Sequence, residues 1–138
     1  MNTIPQELNW VEKRAACTVA EVFHQLCEGV MRDVDAVNVA RRLPTEERFK
    51  VDPLTDGTTI VIGQLGQTPR IVVRIGIVHD QIMVSHQPIS EPDWSAKVSL
   101  NDEGRCTLRT TDDEKKAELE QWQFRKKALA GLFFGDKP

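Results

Sequence analysis

With 138 residues, 40% hydrophobic and 28% charged, the chain has apolar material for one core without disulfide or metal staples, which excludes the disordered and fibrous classes. Eighteen basic against 21 acidic residues leave a formal charge of -3, so no one-signed field draws in nucleic acid or anionic lipid over long range. The first residues, MNTIPQELNWVEKR, hold no basic stretch followed by an apolar run, and nowhere do about 18 apolar residues stand together, so neither export nor a membrane span is expected.

Residues 1–8 read as a loose arm before a single α+β domain over 9–138. Residues 9–16 (NWVEKRAA) fit either a helix or a separate strand. Thr18-Val-Ala-Glu21 has the form of a capping box, in which hydroxyl and carboxylate each satisfy a free backbone N–H, and a helix is predicted over 18–42. Val19, Val22, Phe23, Leu26, Val30, Val34 and Val37 recur at three- and four-residue steps and form its core stripe, with Glu21, Gln25, Glu28 and Arg32 opposite. Leu43, pushed from the α region by Pro44, ends it.

Between 46 and 111 the period falls to two, and Asp56-Gly57, Gly66 to Pro69, Asp80-Gln81, Pro88 to Pro92 and Asn101 to Gly104 mark turns. A six-strand antiparallel meander is predicted, with strands near 47–52, 58–65, 70–79, 82–87, 95–100 and 105–110. Thr111-Asp-Asp-Glu114 repeats the capping-box form and predicts a second helix over 113–134, stopped by Gly135, with Leu119, Trp122, Leu129, Leu132 and Phe133 on one arc. The architecture expected is α-β6-α in two layers; with residues 9–16 as a strand, the order β-α-β6-α would resemble helix-grip ligand-binding folds.

Few residues carry a chemical signature. Cys17, Cys27 and Cys106 are odd in number and lack a CxxC pair, which predicts reduced thiols and a cytoplasmic address. Cys17, His24, Cys27 and Met31 share one helix flank, but C-x6-H-x2-C lacks the short chelating pairs of zinc sites, and neither metal nor cofactor is expected. Asp33, Asp35, Glu91 and Asp93 fit no calcium loop and read as solvated acids, Gly63 and Gly66 give no phosphate cradle, and Ser85, Ser90, Ser95 and Ser99 lack a nucleophile elbow. Arg125-Lys126-Lys127 beside Trp122 and Phe124 could stack a base and clamp phosphate, yet such a run is more often the solvated C-terminal half of a helix, so nucleic acid is not the expected partner.

Four positions remain as candidate ligand-binding residues: His79 and His86, which share strand parity with Ile75 so that His86 would face Ile75; Trp122; and Arg125. Arg125 lies mid-arc among apolar residues and needs an exit to solvent, a buried carboxylate or a partner surface. The strand 70–79 puts Ile71, Val73, Ile75 and Ile77 inward but also Val72 and Val78 outward, so Val72, Val78 and Trp10 are candidate interface residues. The expectation is a non-enzymatic binding or interaction module pairing with itself, or taking another protein; the alternative is a carrier or enzyme with a small apolar ligand between sheet and C-terminal helix.

Overall fold

The computed structural model describes residues 9–54, 56–67, 70–88, 93–111 and 117–135. Helices α1 (Trp10–Ala16) and α2 (Val19–Ala40) lead into strands β1 (Phe49–Pro53), β2 (Thr59–Gln64), β3 (Val72–Val78), β4 (Gln81–Gln87), β5 (Trp94–Leu100), β6 (Cys106–Thr110) and β7 (Glu118–Leu119), and α3 (Gln121–Phe134) follows. The strands form one sheet in sequence order, each antiparallel to its neighbour. α2 packs against β1, β3, β4 and β5, and α3 against α2, β3, β6 and β7, giving the two-layer α+β arrangement expected, with seven strands rather than six. The arm 1–8 lies outside the described residues.

The Thr18 hydroxyl accepts from the Glu21 N–H at 3.2 Å and starts α2. Val22, Phe23, Leu26, Val30, Val34 and Val37 are buried, as the three- and four-residue spacing requires. α2 stops at Ala40 through backbone geometry: Arg42 takes the left-handed region (φ 52°), Leu43 N–H reaches the Asn38 carbonyl at 3.0 Å, and Arg42 N–H the Val39 carbonyl at 3.1 Å. That pair of bonds satisfies the last free carbonyls two residues earlier than predicted. The Asn38 side chain then pairs with both backbone groups of Phe49, accepting at 2.8 Å and donating at 3.0 Å, and so ties the edge strand β1 to α2.

Residues 9–16 are a helix. Asn9 caps α1 by accepting from Glu12 N–H at 3.1 Å, and none of its residues is buried. The strand that a helix-grip order requires is therefore not formed. At the end of α1, Cys17 is bonded to Cys106 of β6, which corrects the expectation of reduced thiols at these two positions; Cys27 is free. The two cysteines are 89 residues apart and show no spacing pattern, so only the folded path brings them together.

The β3–β4 hairpin turns at His79-Asp80, one residue earlier than predicted, with Val78 opposite Gln81 and His79 at φ 59°. Two-residue hairpin loops need positive φ, which the imidazole-bearing residue supplies here. The shift moves the ladder by two, which keeps every face but changes partners: His86 lies opposite Val73, and Ile75 opposite Val84. Val73 and Ile75 are fully buried, as their parity demands.

The C-terminal helix begins at Gln121, not at 113. Thr111, expected as its cap, instead joins its hydroxyl to Ser95 Oγ at 2.6 Å, and Thr110 N–H donates to the Ala117 carbonyl at 2.9 Å. Those bonds fold the chain back as β7, with Leu119 opposite Leu108. Asp112, Asp113 and Glu114 lie outside the described residues. Glu120 is the cap, in a reciprocal box with Gln123, and Gly135 (φ 74°) closes the helix. Leu26, Ile62, Ile75, Ile82, Leu108, Phe124 and Leu129 form the buried centre between helices and sheet. Among the described residues no helix is long and apolar enough to cross a membrane.

Candidate interaction site between helices α2 and α3

α2 and α3 run in the same direction and are joined at three levels. Near their starts Gln121 donates to Gln25 Oε1 at 2.6 Å; in the middle Arg125 Nε meets Asp33 Oδ2 at 2.7 Å; at their ends the Arg41 guanidinium donates to the Phe133 carbonyl. The last contact satisfies a free carbonyl at the α3 C-terminus. Trp94 packs on Phe124 and Phe49 on Phe133, each with ring centroids 4.9 Å apart, anchoring α3 to the sheet.

The central pair explains a glycine inside α2. A Cβ on Gly29 would overlap the Arg125 guanidinium and come within 2.9 Å of its Cδ, so the arginine lies flat against bare helix backbone on its way to Asp33. Of the three exits open to Arg125, the carboxylate partner is the one realised. Asp33, expected as a solvated acid, is a half-buried member of this pair. Propensity alone predicts that Gly29→Ala stabilises α2 by about 0.5–1 kcal/mol. The expected result is the reverse, a loss of about 1–2 kcal/mol, because the methyl group expels Arg125 from its slot and strands Asp33. In an Arg125→Ala background the same change should stabilise, and urea unfolding of the four proteins in a double-mutant cycle checks the reversal of sign.

α3 carries apolar residues outside the core as well as in it, among polar ones such as Gln123, Lys126 and Lys127. Phe124, Ala128, Leu129 and Phe133 face the core, whereas Trp122 and Phe134 stand 53% and 60% exposed. The sequence placed Trp122 on the buried arc; its ring is at the surface, with the indole N–H donated to Glu120 Oε2 at 2.9 Å. Between the outer sides of α2 and α3 runs a groove of ≈ 440 Å³, floored by small residues such as Ala36 and Ala40, with Trp122 and Phe134 among its lining and the Arg125–Asp33 pair along it.

Two of the sequence-selected residues, Trp122 and Arg125, thus meet in one groove. The others do not join them. His79 is exposed in the β3–β4 turn, and His86 is 7% exposed on the core face of β4. Val72 and Val78 project from the outer face of β3, where Val78 is 43% exposed but Val72 only 8%; Trp10 is exposed on α1. Phe134, Gly29 and Asp33 were not singled out. For Gly29 and Asp33 a signal existed: a glycine inside a strong helix, followed one turn later by an acid.

A second groove, ≈ 450 Å³, separates α2 from the β1–β2 end and is lined by Phe23, Cys27, Met31, Ile60 and Ile77, with His24 beside them. Burial raises the Cys27 thiol above its ordinary range, which keeps it protonated at neutral pH. His24 Nε2 lies 2.9 Å from Glu28 Oε1, and among the described residues no three His, Cys, Asp or Glu side chains gather as a metal set. Two carboxyls are held below the ordinary range, Glu118 by the Asn101 amide and Thr107 hydroxyl, and Asp56 by the Thr58 backbone N–H. No protein-family model, no curated protein and no solved structure matches the chain at a significant level.

Proposed function

We propose that the protein is a non-enzymatic interaction module that pairs with a second copy of itself through the α2/α3 groove. The observation that carries this reading is the outward side of α3, where Trp122 and Phe134 remain exposed on a helix whose other side already fills the core. Exposed apolar residues rimmed by polar ones mark interaction surfaces, and aromatic anchors are enriched at the centre of protein interfaces. A two-fold axis along the groove would set each copy's Trp122 and Phe134 against the small residues of the other. The outer sheet face, with Val72 and Val78, suits self-pairing less well: Val72 offers little surface, and Arg74, Lys97 and Arg109 on that face would meet their own images.

Sedimentation at tens of micromolar tests the reading. Wild type is expected to sediment as a dimer, and Trp122→Ala with Phe134→Glu as a monomer of unchanged far-UV circular dichroism, with self-affinity reduced by more than about tenfold. A monomeric wild type overturns self-pairing.

The groove beside Cys27 favours a second reading, a small apolar ligand held between α2 and the β1–β2 end. Protection of Cys27 from iodoacetamide by a candidate ligand would separate it from the first. As to compartment, the Cys17–Cys106 bridge argues for oxidising surroundings, where such bonds persist, over the cytoplasmic address expected from the cysteines.

A further inference from the structure

The sheet face turned away from the helices is cationic although the chain as a whole is acidic. Among the strand residues on that side, with Arg70 beside Gly63, the cations are Lys50, Arg70, Arg74, Lys97 and Arg109 and the acids are Asp52 and Glu118, which sum to +3 (five less two) in a chain of -3. The acids are already engaged. Asp52 lies 3.6 Å from Lys50 and 3.5 Å from Arg70, and Glu118 accepts from Asn101 and Thr107 while facing Arg109 across β6–β7. Arg74 and Lys97 have no acid opposite them: Arg74 stands between Val61 and Ser85, and Lys97 between Gln81 and Arg109.

The Lys97/Arg109 pair is the telling feature. Like charges directly opposite in an antiparallel ladder are destabilising, and both side chains are exposed, so neither is held there by packing. An external carboxylate set between them would turn the repulsion into two attractions. Around them lie aliphatic side chains, Val61, Val78 and Met83, half-buried or exposed, and no aromatic ring projects from the described strands on this side. Without stacking platforms, and with the whole chain negative, single-stranded nucleic acid is a poor occupant. A second copy fits no better, because a two-fold contact would set this cationic face against itself.

We propose that the outer face of the sheet docks an acidic segment of a different protein, with Arg74, Lys97 and Arg109 receiving its carboxylates and Val61, Met83 and Val78 its aliphatic side chains. Arginine presents two parallel N–H donors to a carboxylate, which gives the face orientation as well as charge complementarity.

The probe is a short fluorescein-labelled peptide alternating glutamate and valine, titrated with the whole protein. Saturable binding that weakens as salt rises is expected, reduced by more than about tenfold in the double variant Lys97→Glu, Arg109→Glu. The groove variants Trp122→Ala and Phe134→Glu should leave it unchanged, which separates this face from the α2/α3 site. Lys97→Glu alone should also raise the melting temperature of the free protein by about 2–4 °C, since it removes the like-charge pair. If the double reversal unfolds, Lys97→Gln with Arg109→Gln carries the test, with a loss of at least about threefold. No binding at low salt, equal binding of a lysine–valine peptide, or binding indifferent to Lys97 and Arg109 overturns the proposal. Tighter, equally Lys97-dependent binding of a single-stranded oligonucleotide or of phosphatidylserine vesicles also overturns it, by assigning the face to a polyanion.

Discussion

Reduction of the Cys17–Cys106 bond is expected to lower the free energy of unfolding by about 4–5 kcal/mol, because a cross-link spanning 89 residues removes a large share of the entropy of the unfolded chain. Against the roughly 5–15 kcal/mol that holds an ordinary domain together, this is a major fraction. Paired urea titrations with and without reductant measure it, and Cys17→Ser with Cys106→Ser should reproduce the reduced curve without reductant. Thiol titration in denaturant gives an independent check: one reactive thiol per chain before reduction, that of Cys27, and three after. Three thiols before reduction would show that the bond is not formed in the purified protein. The bond also holds the α1–α2 junction to β6, so the reduced protein should lose protection of backbone amides first at the start of α2.

Leu26→Ala carries the second large effect, a loss of about 3–4 kcal/mol. Leu26 has no exposed surface and sits in the cluster that includes Val22, Val30, Ile75, Ile82 and Phe124, where removed methyl groups leave a void the sheet cannot close. Met31→Ala, on the exposed side of the same helix, should change stability by less than about 0.5 kcal/mol. Urea midpoints of the two variants, with unchanged slopes, provide the comparison. A Leu26 loss below about 1 kcal/mol would mean that the apolar stripe of α2 does not face the core in solution.

Features with a short physical cause were legible in the sequence. The stripe from Val22 to Val37 follows from helical period, and the burial of Val73 and Ile75 against the outward Val72 and Val78 follows from strand parity. What failed was decided by contacts distant in the chain or by backbone bonds invisible to composition. The acidic run after Thr111 satisfies every local rule for a helix start, yet the Thr111 hydroxyl goes to Ser95 on the neighbouring strand and the chain pairs as β7 first. His79 carried the parity of a strand residue but was needed in the turn. The groove was half legible: Arg125 stood out as a charge among apolar residues, while its partner Asp33 is 92 positions away and looked like any solvated acid. The bridge between Cys17 and Cys106 left no local trace.

The strictly sequential order of the sheet bears on how the molecule assembles. Because each strand pairs only with its neighbour in the chain, the ladder can grow hairpin by hairpin, each step closing a short loop at small entropic expense. The layer of helices is different: Asp33 and Arg41 wait for Arg125 and Phe133, each 92 residues further on, so α2 has no companion until nearly the whole chain is present. During synthesis from the N-terminus, α2 and the early strands emerge well before the segment that covers them. For that interval Leu26 and Val30 can be sheltered only by the growing sheet, and the side of α2 that will receive α3 stays open to other molecules. The last fourteen-residue helix therefore acts as a latch, and a chain cut short before Gln121 would display, on a nearly complete sheet, the apolar surface left by Phe124, Leu129 and Phe133.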